Sequence, residues 1–435
     1  MIAEEVPADL EARVITPASA GYEDRRHSYA YRGSPAMIIR CESAVDVIGG
    51  LALARSSGLA VSVRSGGHGA ASSSTNDGGI VLDLSAMNTV EVVDEAVGLV
   101  RIGPGARWNE VAATLDAYGL AISSGDSGDV GVGGLTVSGG IGLLGRRFGL
   151  TIDSLRSVEI VAADGSLLHA STTENPELFW AVRGAGGLFG VVTSFEFAAS
   201  RVREVVRASI RYDGSDLGGL LASWAREMEE APREITSFLY LASGESGDPP
   251  AVSSTVVFAG EDSSSARTAL EPFVNVGPVI ESSIAATPYA SLVPLMFGGQ
   301  RGDAPADVRC GLAVHLRADL GNRLSELVSS DVAVAIQIRA VGGAINDVDA
   351  ADTAYSHRHQ NFCVVALALP ENRARLWSAW DDLLPNLDGL YSAFETERSA
   401  QSTLAAYPAA TLARLAELKA NIDPNNLFEP RFVWR

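Results

Sequence analysis

Apolar and polar positions along this chain of 435 residues follow two textures. Before residue 200, short apolar runs stop at glycines. "PAMIIRC", "AVSVRSGGHG", "GGIVLDLS" and "GLVRIGPG" read as strands, the second running into a glycine turn. Helical spacing intervenes: "SAVDVIGGLALARSSG" predicts a helix capped by Ser43 and stopped by Gly58, and "RWNEVAATLDAYG" predicts another. "SVEIVAADGSLLHA" predicts a hairpin turning at Asp164-Gly165, "NPELFWAVRG" a short helix, and "GVVTSFEFAA" a strand. Residues 33–200 therefore read as one α+β unit with glycines at its strand ends. Residues 1–30, polar and loosely helical, read as an arm that docks on it.

Past Ser200 the alternation lengthens. "VVRASIRY", "SSTVVFAG" and "VAVAIQIRAVGG" read as strands of an antiparallel sheet, with helices such as "LGGLLASWAREMEEA" and "ENRARLWSAWDDLLPNL" between or after them. The tail "ATLARLAELKANIDPNNLF" predicts a helix stopped by Asn421 and Pro424. No internal repeat interrupts this order.

Composition narrows the function. A net charge of −20 argues against binding a phosphate backbone, so no nucleic-acid partner is expected. The single lysine, Lys419, removes the P-loop and leaves pyridoxal chemistry only a residue in a helix-exterior pattern. Cys41, Cys310 and Cys363 are too scattered for a disulfide framework or a zinc cluster, so they read as small core residues and no metal is expected. The start "MIAEEVPADLEARV" lacks a basic, apolar signal, and no apolar run spans a bilayer. The expectation is a cytoplasmic protein with no membrane partner, as monomer or homodimer.

Two motifs mislead. Gly125-Asp126-Ser127-Gly128 resembles a serine-protease nucleophile stretch, but no histidine lies in a matching signature and the chain alternates helix with strand. The fragment Gly140-Ile141-Gly142-Leu143-Leu144-Gly145 fits a dinucleotide fingerprint, but Gly149, Thr151 and Asp153 break the helix that should follow. A different cradle fits better. "RSGGHG" and "GDVGVGGLTVSGGIG" bring glycine backbone toward an anion from two sides, with His68 inside the first.

"AVSVRSGGHGAASSSTNDGGIVLDLSAMNTV", "VGVGGLTVSGGIGLLGRRFGLTIDSLRSVEIVAADG", "ELFWAVRGAGGLFGVVTSFEF" and "IDPNNLF" occur in this order. They resemble the segments of berberine-bridge-enzyme-like FAD-linked oxidases, in the vanillyl-alcohol-oxidase superfamily, with Ile422 where that family's last signature has Tyr. The resemblance covers essentially the whole chain. It implies an α+β protein: a two-lobed FAD-binding domain (1–202), an antiparallel-sheet substrate domain with helices (203–390), and a C-terminal segment (391–435) returning to the first. It assigns FAD contacts to Arg64, Ser65, Gly66, Gly67, His68 and Gly69 of the first segment. From the second it adds Ser127, Val130, Gly131, Gly133, Gly134, Ser138, Gly139, Gly140 and Gly142. Gly190, Val192 and Asn426 complete the set. His68 is the expected covalent attachment point. Ser127 stands where many relatives carry a second, cysteinyl link; a hydroxyl is a far poorer nucleophile than a thiolate. A single bond through His68 is therefore expected.

The implied reaction is hydride removal from an alcohol, hemiacetal or amine carbon of a small molecule, expected to be a secondary metabolite, with dioxygen as acceptor. Oxygenation or oxidative cyclisation is the alternative, and a flavin-binding protein without turnover a third. The family's tyrosine base falls at Tyr391 in "GLYSAFETE", although Ala393 replaces the usual asparagine. Alternation in "AIQIRAVGGA" puts Gln337 and Arg339 on one face, where the alternatives are binding substrate, lowering the Tyr391 pKa, or a buried structural role. His357 and His359 are expected at a surface or interface.

Overall fold

A computed structural model describes residues 6–8, 10–69, 72–244, 249–260, 264–295 and 305–428. Among the described residues the chain builds three main sheets. The first has four strands in the order Val14–Ile15, Met37–Arg40, Ile80–Asp83 and Val61–Arg64, the last three mutually parallel. Its strands are short apolar runs because helix Ala44–Ser57 covers them. That helix begins with a capping box between Ser43 and Asp46 and stops at Gly58, which takes the left-handed conformation (φ 62°).

The second sheet is antiparallel, ordered Val90–Asp94, Leu99–Ile102, Val191–Ala198, Leu155–Val161, Leu167–Ser171. The Asp164-Gly165 turn closes its last hairpin, with Gly165 at φ 92°. Strand Val90–Asp94, at its edge, has no strong apolar alternation and was not legible in the sequence. Between these sheets and the third, the glycine-dense stretch holds only short helices, Val132–Ser138 and Gly145–Phe148, so no Rossmann crossover helix forms.

The third sheet has seven antiparallel strands: Val279–Pro288, Glu204–Tyr212, Ala251–Phe258, Ile235–Ala242, Ala335–Ala340, Phe362–Ala368, Asp307–Ala313. Helices Leu217–Glu230, Ala266–Val274, Ala318–Ser329 and Arg373–Asp381 back one face around Trp224, Phe362 and Trp380. The other face turns toward the glycine-rich stretch. Arg146 ties the two together: its buried guanidinium donates to the carbonyls of Ala231, Ile235 and Val341 at 2.8–3.0 Å. Arg358 adds a bidentate pair with Asp153, both bonds 2.9 Å.

The structure corrects two expectations. Lys419 does not lie on a helix exterior. It is 7% exposed, and Nζ donates to Leu188 O, Phe428 O and Asp423 Oδ2 at 2.6–2.7 Å. Helix Ala409–Ile422 buries Leu415 and Lys419, and the lysine turns inward to stitch the tail to the 186–190 loop. His357 is likewise buried: Nε2–H donates to the Ala406 carbonyl at 3.0 Å, and Gly389 leaves room for the ring, since a Cβ there would lie 2.3 Å from it. His359 is exposed and bonds Asp388. All three cysteines are free and buried.

Candidate active site

The site begins where strand Val61–Arg64 ends. Its last residue leads into Ser65–Gly69, which meets the loop before helix Val132–Ser138 backbone to backbone. A Cβ on Gly66 would stand 2.3 Å from Gly131 N, and one on Gly131 2.2 Å from Gly66 N, so neither position admits a side chain. Ser65 Oγ donates to Pro104 O (2.6 Å) and accepts from Gly133 N (3.2 Å). Arg107 clamps both loops, donating to Gly66 O at 2.8 Å and to Asp129 O.

The locked loops form one wall of a cavity of about 1310 Å³. This exceeds the roughly 300–1,000 Å³ of an ordinary small-molecule pocket and leaves space for a dinucleotide together with a substrate. Leu188, Gly190, Val192 and Phe428 extend that wall; Tyr240, Gln337, Arg339, Val365 and Leu367 of the seven-stranded sheet face it, with Tyr391 and Phe394. The residues fit a flavin dinucleotide. Gly134 and Gly187 open onto empty space, and Ser127 Oγ is buried at the cavity with no hydrogen-bond partner among the described residues. His68 lines the cavity, its ring stacked on Tyr29 with centroids 4.6 Å apart and planes at 15°.

Of the residues the sequence assigned, Ser65, Gly66, Gly67, His68, Gly69, Ser127, Val130, Gly131, Gly133, Gly134, Ser138, Gly190 and Val192 line the cavity, as do Gln337, Arg339 and Tyr391. Five do not. The Arg64 guanidinium is buried against the Arg25 carbonyl. Gly139 (φ 125°) passes the Tyr355 and Tyr391 rings, and Gly140 gives its N–H to Tyr391. Gly142 abuts the Ser124 carbonyl, where a Cβ would lie at 1.7 Å. Asn426 takes a left-handed turn (φ 52°) that lets Asp423 accept from Leu427 N and Phe428 N. These five shape the walls from behind.

The polar centre of the cavity was only half legible. Gln337 and Arg339 do share a face, and both reach Asp126. Gln337 Nε2 donates to Oδ2 (2.6 Å), Arg339 Nη2 to Oδ1 (3.0 Å), and the Tyr240 hydroxyl to Oδ2 (2.7 Å). Burial alone would push the Asp126 carboxyl upward; the Arg339 charge and the bonds from Tyr240 and Gln337 outweigh it and hold it below the usual carboxylate range. Arg339 in turn lies over the rings of Phe238 and Phe394, 5.1 and 4.4 Å from their centroids. Asp126 sits inside the protease-like Gly-Asp-Ser-Gly stretch, where the serine is the more conspicuous residue. Tyr240 is a half-buried polar-tipped residue on the strand "ITSFLYLA", a signal that alternation offers.

Tyr391 is 2% exposed, and its oxygen accepts the Gly140 N–H at 3.0 Å. Burial pushes its pKa well up, only partly offset by that bond. Burial and then the adjacent Asp126 charge do the same to Tyr240. Both phenols are therefore protonated at rest.

Fold and site together define an FAD-binding protein of the vanillyl-alcohol-oxidase type. A family model described as an FAD binding domain matches residues 35–171. The (R)-6-hydroxynicotine oxidase of Paenarthrobacter nicotinovorans is 35% identical over 298 residues, 66% of this chain and 64% of that protein, so the chain matches just under two thirds of that relative's length. The crystal structure of 6-hydroxy-D-nicotine oxidase from Arthrobacter nicotinovorans has a TM-score of 0.86 at 28% identity, covering 98% of both chains. Glucooligosaccharide oxidase from Acremonium strictum, described with a 6-S-cysteinyl, 8α-N1-histidyl FAD, shares the fold at a TM-score of 0.83 and 23% identity, over 98% of this chain and 96% of that one. Residues 35–171 thus carry an FAD binding domain, and over nearly its whole length the chain is similar in fold to FAD-linked oxidases such as these.

Proposed function

We propose that this protein is an oxidase that removes a hydride from an alcohol, hemiacetal or amine carbon of a small molecule and passes the electrons to dioxygen. The units are 1–202 for FAD, 203–390 for substrate, and 391–435 returning to the first. The flavin, when bound, supplies the hydride acceptor. His68 and the segments Ser65–Gly69 and Val130–Gly134, the second entering helix Val132–Ser138, hold it, with His68 as the sole covalent link because Ser127 carries no thiol.

The observation that carries the reading is the Asp126 cluster, facing the glycine loops across one cavity. A substrate losing hydride must also shed its O–H or N–H proton, and that group becomes strongly acidic as the C–H bond breaks. Tyr240 has spent its hydrogen on Asp126, so its oxygen presents a lone pair to the cavity. It can take the substrate proton as its own moves to the carboxylate. Tyr391, already accepting from Gly140, is better suited to donate, although the family resemblance makes it the base. Gln337 Oε1 accepts from Arg339 Nε (2.9 Å), which keeps both side chains oriented without substrate. The Asp126–Arg339 pair is neutral overall, so this polar centre adds no net charge beside the substrate.

Anaerobic mixing with 6-hydroxynicotine, secondary alcohols, sugars and cyclic amines tests the function. One class should bleach the flavin and release hydrogen peroxide on re-aeration. A flavin left oxidised by every compound would rule the oxidase reading out, and labelled oxygen in the product would replace it with oxygenation.

A further inference from the structure

We propose that Tyr29, carried in by the N-terminal arm, is a positioning residue that orients His68 for its attachment to the flavin; this rests on the reading of His68 as the attachment residue. His68 stands between Gly67 and Gly69, after Gly66, with Gly67 at φ 66°. The glycine neighbours of His68 offer its imidazole no side chains to pack against. The Tyr29 ring supplies a flat partner, 4.6 Å away and only 15° from parallel. A face-to-face contact fixes the plane of the imidazole. Both ring nitrogens lie on its edge, so the stack sets their direction without covering either.

The arm is fastened on both sides of Tyr29. Before it, the buried Arg64 guanidinium donates to the Arg25 carbonyl, and Thr75 Oγ1 donates to Arg26 O at 2.9 Å. After it, Tyr31 OH reaches Asp77 Oδ2 (2.9 Å), and Ser34 Oγ reaches Asp77 Oδ1 (2.6 Å). A polar segment of little regular structure is thus pinned so that Tyr29 and His68 line the same cavity. The buried Arg64 gains a structural role from this arrangement, since it secures the arm from the strand that leads into the His68 loop.

In the attachment step a C–N bond forms between an imidazole nitrogen and a methyl carbon on the flavin's dimethylbenzene ring. One methyl hydrogen and the imidazole N–H hydrogen are lost. The two electrons released reduce the flavin, and dioxygen reoxidises it, leaving as hydrogen peroxide. The rate of such a step depends on how often the nitrogen is aligned with the carbon, so loosening the imidazole should slow attachment by about tenfold or more without abolishing FAD binding.

The test is the fraction of flavin that stays with the protein through acid precipitation, as fluorescence on a denaturing gel relative to total FAD, in protein harvested early after induction. Tyr29→Phe keeps the stack and should match the wild type. Tyr29→Leu and Tyr29→Met remove the ring and should show a covalent fraction about tenfold lower while holding FAD non-covalently. The ratio is taken on folded, monodisperse protein, and two non-aromatic variants guard against one failing to fold. Full attachment in either overturns the proposal, as does a loss in Tyr29→Phe equal to that in Tyr29→Leu. If the wild type itself releases all its flavin, the attachment at His68 fails first, a result visible before any variant is compared.

Discussion

Asp126 and Ser127 are adjacent, yet they answer different questions about the chemistry. The Asp126 carboxylate accepts from Tyr240, Gln337 and Arg339 inside the cavity wall, and removing its charge would strand the Arg339 guanidinium. Asp126→Asn should therefore cost about 3 kcal/mol of stability, read from denaturant midpoints, and slow flavin reduction by roughly 10²-fold or more. Tyr240→Phe should match that rate loss while leaving stability nearly intact. Tyr391→Phe removes one hydrogen bond to Gly140 and should slow reduction by about tenfold at most. A far larger loss in Tyr391→Phe than in Tyr240→Phe, measured by anaerobic stopped flow, would return the base to Tyr391. Ser127 Oγ has no partner among the described residues, so a thiol fits there at little cost. Ser127→Cys should add a second covalent link, seen when a His68→Ala, Ser127→Cys double variant retains flavin through acid precipitation; complete release would show that the position does not reach the ring.

At the scale of elements, what the sequence reveals depends on whether the signal is local. Helix Ala44–Ser57 carries its own start and stop in Ser43 and Gly58, and strand Ile80–Asp83 opens with three successive apolar residues, so both are plain in the sequence. Strand Val90–Asp94 pairs with Leu99–Ile102 in a local hairpin, but its residues show no clean apolar alternation to announce it. The glycine loops are legible because backbone contact at Gly66 and Gly131 leaves no other residue possible. The Asp126 cluster is not, since its members come from three distant stretches. His357 is a similar case: nothing in "SHRHQ" says which histidine turns inward. Burial, more than the bond to Ala406 opposes it, lowers the His357 pKa below its ordinary value near 6.5. The unfolded chain then binds the extra proton first, so stability is full above about pH 6.5 and falls as pH drops below it. His357→Gln keeps a donor for Ala406 and should flatten the thermal midpoint between about pH 7 and pH 5 relative to wild type. An unchanged slope would assign that acid sensitivity elsewhere.

At the scale of the whole molecule, the chain must bring its far end back to the cavity, and the lone lysine does this. Nζ of Lys419 joins Leu188 and Phe428, both of which line the cavity, and pairs with Asp423. Asp423 spends its remaining acceptor capacity on the N–H groups of Leu427 and Phe428, which gives "IDPNNLF" a physical reason: the aspartate folds the tail back and the asparagine makes the left-handed turn. Burial lowers the Lys419 pKa, opposed by the Asp423 charge, so the ammonium persists because its three acceptors are already in place. Lys419→Met fills the same space but leaves the buried Asp423 carboxylate without its counter-charge and takes the ammonium donor from the Leu188 and Phe428 carbonyls. It should cost about 3–5 kcal/mol, and because the loss falls on the wall beside Leu188, it should also expose flavin to solvent. The pair of readouts is decisive. A lowered denaturant midpoint together with a flavin fluorescence change at temperatures well below unfolding means the tail is part of the cofactor wall. A lowered midpoint with flavin fluorescence unchanged until global unfolding means the tail only adds stability, and the cavity is complete without it.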